Sequence, residues 1–449
     1  MEARGPHETI RELAPTIRAD LERLVAIPSV AFGGFPPEPV REAADATADI
    51  LRSAGLPGVR LLELEDGFPA VFGQIPAPSG APTVLLYAHY DVQPAGPMDL
   101  WTSPPFEPVV RNGRLFGRGS ADDKSGVVLH AATVRAFAGA PPVGVKVLIE
   151  GEEESTTEHL PELIAANRHL LAADVIVVAD SGNITTGAPT LTTTLRGVID
   201  LTIEVRSLEV PIHSGSFGGA APDALLALIR MVASLHDEAG SVAVAGLESA
   251  PTPLAPWDEE AFRREAGVLD GTELVGRGTI AERAWAMPAI NVIGIDAPTV
   301  HGARNILVDR ARARISLRVP PGEDPERAIG AVEAHLRAAA PWGVRFEATA
   351  GEPGAGFDAP TTGPAYAAAR RALQAAYGAE VVTMGSGGSV PLIPVLAEVF
   401  PEAEILLMGA MDDRSNTHAQ DESVDLAELE RAVLAQVVLL DELAHTSPS

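Results

Sequence analysis

His89 and Asp91 fall together in YAHYDVQP, Glu152, Glu153 and Glu154 in EGEEES, Asp180 in VVADSG, and Asp122 in the glycine-rich GRGSADDKSG. A late histidine, His418, follows in the last part of the chain. Imidazoles and carboxylates in a chain without cysteine form the donor set of a catalytic rather than a structural zinc site, or of Mn²⁺ or Co²⁺. An aspartate held on a rigid glycine turn could bridge two such ions. Asp91, two residues beyond His89, could accept the second imidazole N–H and so fix the tautomer. Of two adjacent glutamates, one can ligate while its neighbour takes a proton from water, the division that metal-assisted hydrolysis requires.

Each of these signals has an ordinary explanation when it stands alone. A histidine beside a strand is commonly a satisfied core or surface residue, a glutamate triplet a solvated face, and a strand-end aspartate a turn or helix cap. GRGSADDKSG lacks the GxxxxGK[ST] spacing of a phosphate loop, and its acidic pair would repel phosphate. GSGGS at 385–389 offers no Gly-x-Ser-x-Gly between a strand and a helix, so a serine hydrolase at Ser386 or Ser389 ranks last. Convergence carries the argument. The apolar runs Thr83–Ala88, Val143–Ile149 and Val175–Ala179 read as strands buried on both faces, and the acidic and histidine residues follow directly after them. In open parallel sheets, sites collect outside the carboxyl ends of the strands.

Helical patterns at Ser125–Phe137 and Glu158–Leu171 lie between these runs, and two further helices are expected over the first 30 residues and at Val40–Ala54. Strand–helix alternation predicts an α/β domain with a mostly parallel central sheet and helices on both faces. After about Gly187 the style changes. Val198–Val205 and Ala311–Val319 alternate apolar and polar residues, as in a sheet with one wet face, and helical patterns at Ala221–His236 and Pro325–Ala340 complete an α+β unit. The α/β style returns with a helix at Pro364–Tyr377, an apolar run at Ile405–Met408 and a closing helix at Leu426–Ala444. The expected organisation is a catalytic domain in two parts, 1–188 and 357–449, interrupted by an inserted domain at 189–356. Gly240–Ala281 shows no readable period.

The 449 residues carry 33 Lys+Arg against 61 Asp+Glu, a formal charge of −28, which argues against nucleic acid or another polyanion as partner. No apolar run has membrane-spanning length, and the acidic amphipathic opening is unlike a signal peptide, so a cytoplasmic protein without membrane contact is expected. Lys124 and Lys146 are the only lysines. In a chain that uses arginine almost everywhere else, Lys124 inside the glycine turn hints at a demand that arginine would not meet.

Taken together, YAHYDVQP, GRGSADDKSG, EGEEES, VVADSG, HSGSFGG, GGSVP and the late His418 resemble the M20 metallopeptidases, and most of all their dipeptidase branch, which includes the carnosinases. The resemblance runs in the family's order from about residue 87 to 418. It implies a zinc-peptidase-like catalytic domain holding two divalent metal ions per chain, zinc first with manganese or cobalt as alternatives, and an inserted lid domain that builds a homodimer. Position by position it implies His89 and Asp180 on one metal, Glu154 and His418 on the other, and Asp122 between them. Glu153 matches the general base and Asp91 the carboxylate that orients His89. His213, in HSGSFGG, matches a lid histidine that reaches the partner's site. Arg318, in SLRVPP, matches the lid arginine for the substrate's carboxylate, while Ser389 in GGSVP and Asn305 match substrate contacts. The resemblance also implies a cis Asp122–Asp123 peptide.

The turn after Glu154 departs from the family's pattern, reading EEESTTE where relatives often read EESGS. The function expected is hydrolysis of the peptide bond of a small dipeptide by a water between the metals, with Glu153 as base. The alternative is an amidohydrolase on N-acyl amino acids. Asp rather than Glu at position 180 favours the peptidase, because the resemblance links Asp there to aminopeptidases and dipeptidases.

Overall fold

The computed structural model describes residues 5–155, 159–247, 254–351, 353–388, 390 and 392–446. The chain divides into two compact units. One comprises Met1–Thr193, Ala359–Met384 and Val390–Ser449, the other Thr194–Asp358 with Gly385–Ser389. The second unit thus begins a few residues later than the expected 189, because the Thr190–Leu195 strand starts in the first unit and ends in the second. It also takes Gly385–Ser389, a stretch expected in the catalytic part.

In the first unit, strands run in the order Arg60–Leu62, Ala70–Ile75, Gly144–Glu150, Thr83–His89, Val175–Val178, Glu404–Leu407 and Thr190–Leu195. Thr83–His89 is parallel to both Gly144–Glu150 and Val175–Val178, and Glu404–Leu407 is parallel to Val175–Val178. The outer pairings are antiparallel, so the sheet is mixed across its width and parallel only at its centre. All four central strands therefore end at the same edge.

Both faces of the centre are covered, as the continuous apolar runs require. Val84, Leu86 and Ala88 join the core formed with helices Pro6–Val25, Glu38–Ser53, Lys124–Ala136, Pro364–Tyr377 and Leu426–Leu443, while the alternate residues Leu85 and Tyr87 are equally buried. The pattern expected as one helix at Glu158–Leu171 is two, Leu160–Ala166 and Arg168–Leu171, separated at Asn167. A small antiparallel sheet of Val109–Arg111, Arg114–Phe116 and Ser423–Asp425 flanks the glycine turn. No described helix is long and apolar enough to cross a membrane.

The second unit is a four-stranded antiparallel sheet in the order Ala289–Asp296, Arg310–Val319, Gly197–Arg206, Arg345–Ala350. Ile199, Leu201, Ile203 and Val205 face one side with Ala311, Ala313, Ile315, Leu317 and Val319, and helices Ala224–Ala233 and Pro325–Ala339 cover that side. This is the α+β unit that the alternating pattern predicts.

Candidate active site

The strand ends supply the site. His89 closes Thr83–His89, Asp180 lies two residues past Val178, Glu153 and Glu154 follow Gly144–Glu150, and His418 lies in the loop after Glu404–Leu407. Asp122 comes from the glycine turn at the start of helix Lys124–Ala136, where the Asp122–Asp123 peptide is cis and the Asp123 side chain caps the helix through the Gly126 N–H. The six side chains form two groups, His89 with Glu153 and Asp180, and Asp122 with Glu154 and His418, whose donor atoms lie within 4.8 Å of one another in each group. Asp122 faces both: its Oδ1 is 3.1 Å from His89 Nε2 and its Oδ2 3.0 Å from His418 Nε2. His418 Nε2 is also 3.1 Å from Glu154 Oε2, and Glu153 Oε2 is 4.0 Å from His89 Nε2.

The electrostatics of this cluster point the same way. Burial, reinforced by Asp122, pushes Asp180 up to about 7. Burial holds Glu153 well above the usual carboxylate range, with Asp180, Glu154 and Asp122 adding to it against His89. Hydrogen bonds from His418 and His89 hold Asp122 well below that range despite its burial, and Asp122 and Glu154 push His418 up to about 10. Four carboxylates thus share two imidazoles at one partly buried edge. Two divalent cations fit that donor set and balance its charge.

Asp91 is fully buried and does more than the sequence assigned to it. His89 Nδ1 lies 3.2 Å from the Asp91 backbone O and 3.4 Å from its Oδ1, and the two carboxylate oxygens accept the backbone N–H groups of Glu153 and Glu154 at 3.2 and 3.0 Å. Asp91 therefore holds both the His89 ring and the turn that presents the two glutamates. Gln93 Nε2 donates to Glu154 Oε2 at 2.8 Å, so Glu154 is held from two sides, by Gln93 and His418. Glu152 turns away from the cluster and pairs with His159.

Sequence reasoning missed Glu422. Its fully buried carboxylate accepts from Arg118 Nη1 at 2.7 Å and from the N–H groups of Gly119, Ala121 and Asp122 at 3.0, 2.9 and 3.1 Å. It closes the glycine turn like a substitute anion. The small sheet brings it there, since Ser423 pairs with Phe116. No local pattern marks it, because its partners lie some 300 residues earlier in the chain. Lys124 answers the compositional hint: its fully buried Nζ donates to Leu24 O and Ile27 O at 2.9 and 2.7 Å at the end of the first helix, and burial pushes it down to about 7, a shift open to an amine but not to a guanidinium.

The other expected residues lie in the second unit. His213 opposes Ile306 in a short antiparallel pair, and Ser214 N donates to Asn305 O, so His213 and Asn305 are neighbours. His213 Nδ1 accepts the N–H groups of Gly215 and Ser216 at 3.1 and 3.2 Å, which leaves the ring proton on the exposed Nε2. Arg318 is half-buried near the end of Arg310–Val319, opposite Val198 and Ala289. Ser389 lies outside the described residues.

Comparison with known proteins agrees with this geometry. The chain is 42% identical over 406 residues to a cysteinylglycine-S-conjugate dipeptidase of Corynebacterium striatum, covering 89% of each chain. It is 28% identical to a β-Ala-His dipeptidase of Rattus norvegicus, over 80% of this chain and 76% of that one. The solved structure of human carnosine dipeptidase 1 shares the fold at a TM-score of 0.83 and 23% identity, covering 98% of each chain. These relatives do not favour the N-acyl-amino-acid alternative. The profile of peptidase family M20/M25/M40 matches residues 85–442, and the chain belongs to that family as a metallodipeptidase.

Proposed function

We propose that the chain hydrolyses free dipeptides, S-substituted cysteinylglycines among them, with His89 and Asp180 holding one metal ion, Glu154 and His418 a second, and Asp122 between the two. The observation that carries this reading is Asp122, whose two oxygens each face one histidine from a different strand end. When bound, zinc, or manganese or cobalt, would supply Lewis acidity to a carbonyl and acidify a water. The chain's own residues do the rest. Glu153, buried beside His89 and without the Gln93 and His418 contacts that fix Glu154, accepts the proton of the attacking water and returns it to the leaving amine. Asp91 keeps the imidazole of His89 oriented through Nδ1. His213, with its proton on Nε2, is a donor for the carbonyl oxygen as charge develops there. Arg318 takes the substrate's C-terminal carboxylate by its guanidinium fork, with Asn305 and Ser389 as further substrate contacts.

The reading includes a homodimer built by the second unit, with His213 serving the partner's site. Ala289–Asp296 is an edge strand whose Val292, Ile293 and Ile295 are exposed, and Leu226, Ile229 and Trp342 add further exposed apolar surface on the same unit. Exposed apolar edges of this kind are ordinarily covered by another chain. The inserted-domain organisation and a cytoplasmic setting, on the sequence grounds given above, belong to the same reading. The test is turnover by metal-reconstituted enzyme on S-substituted cysteinylglycines, other free dipeptides and N-acetyl amino acids. Preference for the first two supports the proposal, and preference for N-acetyl amino acids over every free dipeptide overturns it.

A further inference from the structure

Arg196 lies at the junction between the Thr190–Leu195 and Gly197–Arg206 strands and is nine-tenths buried. Its backbone N–H donates to Ser386 O at 3.2 Å. Its guanidinium donates to Gly387 O at 3.4 Å, Met287 O at 3.2 Å and Arg283 O at 3.5 Å, which are main-chain carbonyls of the bend that follows strand Val382–Ser386 and of the Glu282–Ala286 helical turn and its end. Among the described residues it makes no ion pair with a carboxylate. The bend is fitted closely around it. A Cβ on Gly387 would stand 2.7 Å from Arg196 Nη2 and 2.7 Å from Ala284 O, and one on Gly385 would stand 2.6 Å from Thr194 Oγ1.

Arg318 is near. Val319 pairs with Gly197, and the Arg318 charge, after burial, helps push the Arg196 guanidinium down to about 10. A neutral donor would satisfy three carbonyls at lower cost. Asp200 offsets part of the Arg318 charge, while the buried Arg196 guanidinium, held by carbonyls alone, adds a positive charge beside it.

We infer that Arg196 is a positioning residue for substrate: it locks the Ser386–Gly388 bend beside Arg318 and adds a second positive charge, so that bend and fork together form a rigid carboxylate pocket. This rests on the assignment of Arg318 to the substrate carboxylate. The pocket is thereby matched to a dipeptide with a free, singly charged C-terminus. Rigidity belongs to the bend as much as to the charge, because the glycines permit a closeness that any side chain would spoil.

The experiment measures kcat and KM for a free dipeptide and for its C-terminal carboxamide in the wild type, Arg196→Lys, Gly387→Ala and Arg318→Lys, with thermal melting of each. Arg196→Lys keeps the charge but loses the fork, and Gly387→Ala presses the bend from the other side. Both should raise KM for the free dipeptide about tenfold while leaving kcat within about threefold, and both should shrink the preference for free acid over carboxamide. If Arg318→Lys shrinks that preference while Arg196→Lys and Gly387→Ala leave it intact and lower only the melting temperature, Arg196 is purely structural and the inference falls alone. A wild type indifferent to amidation removes the Arg318 assignment itself, and the inference with it.

Discussion

Glu422→Gln tests the group that shapes the Asp122 turn while leaving every proposed ligand side chain unchanged. The substitution keeps volume and one acceptor oxygen but removes the charge facing Arg118 and turns an amide N–H₂ toward donors. In the native turn the carboxylate serves one guanidinium and three backbone N–H groups. Breaking a buried ion pair on one side costs about 3–5 kcal/mol. Each backbone N–H left without an acceptor costs about 1–3 kcal/mol more, and the glutamine oxygen can serve only some of them. With one N–H left without an acceptor the loss is roughly 4–8 kcal/mol, a large part of a domain's stability. Because Asp122 N is one of the orphaned donors, the ligand it carries should shift too, and displaced supporting groups typically weaken metal binding about 10–100-fold. Urea unfolding of the metal-free protein and competition for Zn²⁺ against a chelator measure the two effects separately. A stability change below about 1 kcal/mol with unchanged zinc affinity would refute the role of Glu422 as the anchor of the turn.

Glu153→Gln should keep both metals and the fold while turnover falls about 10²–10⁴-fold; near-native turnover would move the proton-transfer role elsewhere. Mixing inactive Glu153→Gln with inactive His213→Ala subunits should restore activity through one complete site per heterodimer, and no recovery despite verified subunit exchange would place His213 in its own chain's site or outside catalysis. His130, fully buried between Tyr87 O and Gln436, is pushed by burial down to about 4. Because it is neutral in the fold and gains a proton on unfolding below its ordinary value of about 6.5, its contribution is complete above that pH and lost as pH falls toward about 4, amounting to at most about 3 kcal/mol. His130→Gln should flatten the acid-side decline in unfolding free energy by up to that amount, and an unaltered decline contradicts the assignment.

What the sequence made legible follows from how each element is held. His89, Asp180 and the two glutamates were readable because continuous apolar strands must be buried on both faces, which places whatever follows them at one edge. The strands Gly197–Arg206 and Arg310–Val319 were readable because one wet face imposes a period of two. Ala289–Asp296 was not, since its apolar residues point outward at an edge and mimic no buried pattern. The antiparallel Ala70–Ile75 was missed too, and with it the mixed character of the sheet. Glu422, Arg118 and Gln93 act through partners remote in sequence, so no spacing announces them. Gly385 and Gly387 belong with the second unit because Thr194 and Arg196 close in on them, a fit that composition does not encode. Lys124 is the opposite case: a compositional oddity that the turn's packing explains.

The central claim is a pair of metal ions sharing Asp122. Elemental analysis of protein reconstituted with excess Zn²⁺ or Mn²⁺ and then freed of loose ions, run beside Asp122→Asn, tests it most directly. Two ions per chain in the wild type, and a loss of both or of tight binding in Asp122→Asn, is the result the account predicts. One ion or none in the wild type, or two in the variant at unchanged affinity, contradicts it.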